Sequence, residues 1–149
     1  MSDPLKLQVK RHIKASRAEL FDAWTRPELM KKWYSPGPMT VITATSDLRV
    51  GGVYRVEMRE GPETIYVATG IYKQIVPNQL LSFTWEPDWM TGPDHQTIVT
   101  VEFNEADGGT EVLLTHEGFA TAETAGKHDQ GWQGCLANLA KVTEAVQVG

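Results

Sequence analysis

Between Thr40 and Glu117 the chain runs through six successive β-type segments, most with apolar and polar residues alternating, and this pattern constrains its fold most. A period of two sends neighbouring side chains to opposite faces of a strand. In "GGVYRVEMRE" Tyr54, Val56 and Met58 share one face, and Arg55, Glu57 and Arg59 share the other. "QLLSFTWE" alternates Leu81, Phe83 and Trp85 with Ser82 and Thr84. "TIVTVEF" sets Val99, Val101 and Phe103 against Thr100 and Glu102, and "TEVLLTHE" puts Val112, Leu114 and His116 in one register. "TVITATSDL" alternates more loosely, and "ETIYVATGIYKQIV" is a long β-rich run. The joints are tight: Pro77-Asn78 is one turn, and Asp107-Gly108 within "ADGG" supplies the positive φ that hairpin turns need. Strands joined in this way are antiparallel.

The flanking segments read differently. "LKLQVKRHI" puts Leu5, Leu7, Val9 and, more loosely, Arg11 and Ile13 on one face of a first strand. Ser16 and Glu19 form a capping box, and Leu20, Phe21 and Trp24 then make the apolar stripe of a short helix. Pro27 suits the first turn of a second short helix through Met30 to Trp33, ending before Pro36. Near the end, "KHDQGWQGCLANLAKV" has helical spacing. At 100° per residue Trp132, Cys135, Leu136, Leu139, Thr143 and Val146 fall on one arc, with His128 near its middle and Asp129 at its edge. Gln133, Lys141 and Glu144 lie opposite. The order is one strand, two short helices, six strands and one long C-terminal helix. A meander with one polar face needs only its other face covered, and only the long helix is large enough to do so. The expected class is α+β: a curved antiparallel sheet of about seven strands wrapped around the helix.

Composition narrows the function. With 149 residues, 41% hydrophobic and 22% charged, one domain spanning residues 1–149 is expected. No apolar run reaches the roughly 18 residues of a membrane span, and "MSDPLKLQVKRHI" does not read as an export leader. The formal charge is −5 and basic residues are scattered, so nucleic acid is not an expected partner, even allowing for a weak patch at Lys31 and Lys32. A single cysteine excludes an internal disulfide and fits a reducing cytoplasm. No pair of the four histidines has zinc-ligand spacing. "VGGV" is a turn before a strand, not a phosphate loop, and Glu57, Glu102 and Glu111 alternate outward. Neither a metal nor a cofactor is expected.

The aromatic residues point to binding. Trp33, Tyr54, Trp85 and Trp132 fall on inward faces of different elements. Each one alone would be core filler. Together they are more ring volume than such a domain usually packs against one helix, so they are read as lining an apolar cavity. His116 faces inward as a satisfied core histidine or a ligand contact. His128 either braces the start of the helix or points into the cavity mouth. Asp129 is read as favourable charge at the helix N-terminus. Cys135 is read as a small buried apolar residue, because seven residues of helix rise separate it from His128 by about 10 Å and exclude a catalytic dyad. Trp89, in the loop "EPDWMTGPDH", is read as a lid or as the contact of a homodimer.

Five blocks occur in order: "AWTRPELMKKWYSP", "DLRVGGVYRVEM", "GIYKQIVPNQLLSFTW", "VTVEFNEADGGTEVLLTHEGF" and "GWQGCLANLAKV". In these the chain resembles, over nearly its whole length, the Hsp-ninety ATPase activator homologue branch of the START-like (SRPBCC, helix-grip) superfamily. The resemblance implies a seven-stranded antiparallel sheet gripping the C-terminal helix over a cavity. It does not imply one function, since related folds carry lipids, sterols and hormones, cyclise polyketides or bind chaperones. The expected function is binding of a small hydrophobic or amphipathic molecule by Trp33, Tyr54, Trp85, His116, His128 and Trp132. The alternatives are an enzyme (a cyclase, dehydratase or hydrolase) using the same cavity, and a chaperone- or partner-binding module without a ligand.

Overall fold

A computed structural model describes residues 5–35, 39–90 and 95–148, with side chains to 144. Strand β1 (Lys6–Ile13) opens the chain, followed by helices α1 (Arg17–Thr25) and α2 (Pro27–Met30). Six strands come next: β2 (Thr40–Ser46), β3 (Val53–Glu60), β4 (Thr64–Val76), β5 (Leu80–Pro87), β6 (Thr97–Ala106) and β7 (Gly109–Glu117). Helix α3 (Ala122–Val148) follows them. The strands form one antiparallel sheet in the order β1-β7-β6-β5-β4-β3-β2. This is the expected α+β helix-grip architecture, with a curved seven-stranded sheet, two short helices after the first strand and the long helix against the concave face.

The turns do what their residues predict. Asp107 (φ 46°) and Gly108 (φ 76°) both adopt positive φ, which matches the twist of the flanking β6–β7 hairpin. Asn78 (φ 64°) turns β4 into β5, closed by a bond from the Gln79 amide to the Val76 carbonyl. Ser16 caps α1 by accepting from the Glu19 amide at 3.1 Å, while its hydroxyl donates to the Glu19 carboxylate at 3.3 Å. Helix α2 ends at Met30, earlier than expected, and turns carry the chain on to Trp33.

The core lies between the sheet's inner face and α3. Val56, Leu81, Val99, Val101, Val112 and Leu114 have no exposed surface. From α3, Trp132, Cys135, Leu136, Leu139 and Thr143 are buried against them, on the arc that helical spacing assigns. The Val146 side chain lies outside the described residues, as do 36–38 and 91–94 within the two expected loops. Two details differ from the sequence reading. Arg11 is exposed, so the inner face of β1 is carried by Leu7, Val9 and Ile13. Helix α3 begins at Ala122, where the Thr121 hydroxyl accepts from the Thr124 amide at 3.2 Å. Asp129 is therefore two turns inside the helix and accepts from the Gln133 side chain instead of serving the N-terminus.

Candidate functional site

A cavity of about 310 Å³ opens between α3 and strands β3–β5. Its size is near the lower end of the range for small-molecule sites. Helix α3 supplies Lys127, His128, Gly131, Trp132 and Cys135, a spacing that keeps all five on one helical face. Met58 comes from β3, Tyr66 from β4 and Trp85 from β5, while Trp89 follows β5. Tyr34, after α2, and Met39, before β2, complete the wall among the described residues. Five of these eleven residues carry Tyr or Trp rings, two are methionines and none is a carboxylate. The wall is thus apolar and polarizable, suited to flat or adaptable apolar surface.

Three of the sequence-predicted residues meet at this cavity and three stand behind it. Trp85 and Trp132 lie 5.0 Å apart on facing elements, and the His128 ring is 6.4 Å from Trp85. His128 is partly buried, and its Nδ1 donates to the Thr124 carbonyl at 3.0 Å, one turn back. It therefore braces the first turns of α3 and lines the cavity at once.

Trp33 packs against Trp24 at 4.6 Å and donates its ring N–H to the Ala23 carbonyl, which holds it at the α1–α2 junction. Tyr54 pairs across the β3–β4 ladder with Gly70. Its ring covers that glycine so closely that a Cβ there would come within 2.8 Å of Tyr54 Cε1. The Tyr54 hydroxyl donates to the Thr84 carbonyl on β5 at 2.7 Å.

His116 is fully buried beneath Trp132. Trp132 Nε1 donates to His116 Nδ1 at 3.0 Å. That bond makes Nδ1 an acceptor, so the proton sits on Nε2, which donates to the Thr97 hydroxyl at 2.6 Å. Burial first, and the neighbouring His128 second, hold its pKa well below the usual histidine value. A proton on Nδ1 would also face the Trp132 N–H. His116 is thus a neutral connector between sheet and helix.

Residues that the sequence reading did not single out as site residues include Tyr34, Met39, Met58, Tyr66, Lys127 and Gly131. Tyr34 and Met39 flank a Gly- and Pro-rich segment with no periodicity to orient them. Met58 was legible as inward-facing by alternation, but methionine gives no sign of whether it fills core or lines space. Trp89, read as a lid or dimer contact, is 39% exposed at the cavity's edge, its ring 5.4 Å from Tyr66. Cys135 is buried, and burial pushes its thiol up to about 12, so it stays protonated and unreactive at neutral pH. Among the described residues no group of three or more His, Cys, Asp or Glu side chains is placed to hold a metal, and no helix is long and apolar enough to cross a membrane.

The geometry agrees with comparisons to known proteins. A protein from Nitrosomonas europaea superposes with a TM-score of 0.83 at 20% identity, covering 100% of both chains. A protein from Chromobacterium violaceum gives 0.82 at 24% identity, covering 95% of this chain and 99% of that one. The Aha1 dimer from Colwellia psychrerythraea gives 0.72 at 19%, covering 93% and 96%. At such identities these likenesses speak to fold alone. No protein of curated function matches. The family model described as "Activator of Hsp90 ATPase homolog 1-like protein" matches residues 14–144, and the chain belongs to that family.

Proposed function

We propose that the protein binds a small apolar or amphipathic molecule in the cavity between α3 and strands β3–β5. The observation that carries this reading is the wall itself: about 310 Å³ of space enclosed mainly by Tyr, Trp and Met side chains. Space of that size would hold about ten waters, and a mainly apolar wall hydrates them poorly. Filling it with an apolar ligand removes that surface from water at about 25 cal/mol per Å². Trp85, His128 and Trp132 are proposed as direct contacts. Trp33, Tyr54 and His116 are proposed to support the wall from behind. Binding is favoured over turnover because the wall is mainly apolar and the lining thiol stays protonated. In this reading the chain acts as one domain in the cytoplasm, consistent with its single unpaired cysteine.

Titration with tetralin, a bicyclic hydrocarbon, followed by amide and indole NMR shifts tests the proposal. Saturable one-to-one shifts centred on Gly131, Trp132 and Met58 are expected. No saturable binding, or shifts confined to the outer face, would sink it.

A homodimer is a second reading. It is favoured by the Colwellia psychrerythraea relative, which is a dimer, and by exposed apolar residues such as Val53 and Ile71, paired on adjacent strands. Sedimentation equilibrium at micromolar concentration is expected to give twice the 16.6 kDa chain mass. A monomer mass at all concentrations would exclude it.

A further inference from the structure

Buried tyrosines elsewhere in this core satisfy their hydroxyls. Tyr54 donates to the Thr84 carbonyl, and the Tyr72 hydroxyl bonds the Ser46 hydroxyl at 2.7 Å. Tyr34 is different. It is 2% exposed, lines the cavity, and its hydroxyl has no hydrogen-bond partner among the described residues. A second donor on the same wall is also unpaired: Trp85, 6% exposed, has a ring N–H that meets no acceptor. Trp24, away from the lining, carries the other unpaired indole. Lys127 adds a cation at the wall, shared with Glu123 at 3.6 Å. Among the described residues no Asp, Glu, Asn or Gln side chain lines the cavity to accept from any of them.

The Trp85 N–H is fully enclosed, and a buried donor without an acceptor costs stability, so native proteins rarely leave one uncompleted. The Tyr34 hydroxyl is not enclosed in this way: it opens to the cavity, where a ligand oxygen can take the place of water. We propose that the ligand of this cavity is a ring compound bearing an acceptor oxygen, a ketone or similar carbonyl, and that Tyr34 donates its hydroxyl to that oxygen. The inference rests on the binding function proposed above and adds the chemistry of the ligand's polar end. The body of the molecule lies against Trp85, Trp132 and Met58, and the oxygen faces Tyr34. Burial raises the Tyr34 pKa well above its ordinary value, with Tyr72 and Cys135 adding to it, so the hydroxyl keeps its proton and remains a donor.

The test compares tetralin with 1-tetralone, which has the same ring frame plus one carbonyl, in the wild-type protein and in Tyr34→Phe. The readout is the ratio of the two affinities within each protein, which cancels the ketone's greater cost of leaving water. That ratio is expected to fall about tenfold in Tyr34→Phe, the value of one neutral hydrogen bond in a dry site. The variant's thermal midpoint is expected to stay level, since the hydroxyl removed bonds no described residue and the ring packing is kept. An unchanged ratio overturns the role of Tyr34 and leaves the apolar cavity standing. Failure of tetralin itself to bind overturns both. A second measurement needs no variant: the carbonyl stretch of bound 1-tetralone should shift below its value in a hydrocarbon solvent. A band at the hydrocarbon position contradicts the inference.

Discussion

Trp132 is the residue on which both faces of the core depend. Its ring forms part of the cavity wall, and its N–H fixes the tautomer of His116, which in turn holds Thr97 on β6. Replacing it by Phe keeps most of the ring but leaves His116 Nδ1 buried without a donor, at a cost of about 1–3 kcal/mol in urea unfolding. His116 also gives stability a pH dependence. Its folded pKa is depressed, so below about 6.5 the unfolded chain takes up a proton that the folded protein refuses. Stability contributed by neutral His116 is complete above that value and declines as pH falls toward the folded pKa. The slope approaches about 1.4 kcal/mol per pH unit. Urea midpoints at pH 8 and pH 5.5 should show this loss in the wild type and less of it in His116→Gln. Equal losses in the two would show that His116 is not the titrating group. At this scale the sequence was partly legible. Alternation with Val112 and Leu114 put His116 inside, but alternation says nothing about partners, and the Trp132 bond crosses 16 residues of chain.

Strand elements were the most legible because their periodicity survives burial on one face. Helix α3 was legible only in its second half. From Ala122 to Gly131 the side chains are mostly polar or small, so no apolar stripe marks the start, and the Thr121 cap lies upstream of the periodic run. Gly126 and Gly131 interrupt the good helix formers there, and at both a Cβ would meet nothing within 4 Å. Each Gly→Ala exchange should therefore raise unfolding stability by about 0.5–1 kcal/mol. They should differ in binding: Gly131 lines the cavity, and Gly126 is exposed outside it. Gly131→Ala is expected to weaken tetralin binding severalfold, while Gly126→Ala leaves it alone. Equal effects on binding would mean that the helix face is not the cavity wall.

At the level of the whole molecule, the order of elements was readable because each joint is a tight turn and a meander permits few topologies. The cavity was not readable residue by residue. Among the described residues its wall joins seven chain segments, three of them at Gly- and Pro-rich loops, and a period of two cannot distinguish an inner face that fills space from one that leaves it. That is why Trp33 and Tyr54, correctly placed inside, belong to the packing behind the wall.

The tryptophans have a consequence beyond packing. All five in the sequence form one unbroken series of ring contacts: Trp33 to Trp24 at 4.6 Å, Trp24 to Trp132 at 5.9 Å, Trp132 to Trp85 at 5.0 Å, and Trp85 to Trp89 at 6.3 Å. Indoles this close share their excited states. Light absorbed at the deeply buried Trp33 end is expected to migrate along the series toward Trp89, the most solvent-exposed ring of the five. The protein thus carries an internal antenna that crosses its own cavity wall. An occupant of the cavity, which both Trp85 and Trp89 line, is therefore expected to change the colour and yield of the whole chain's emission.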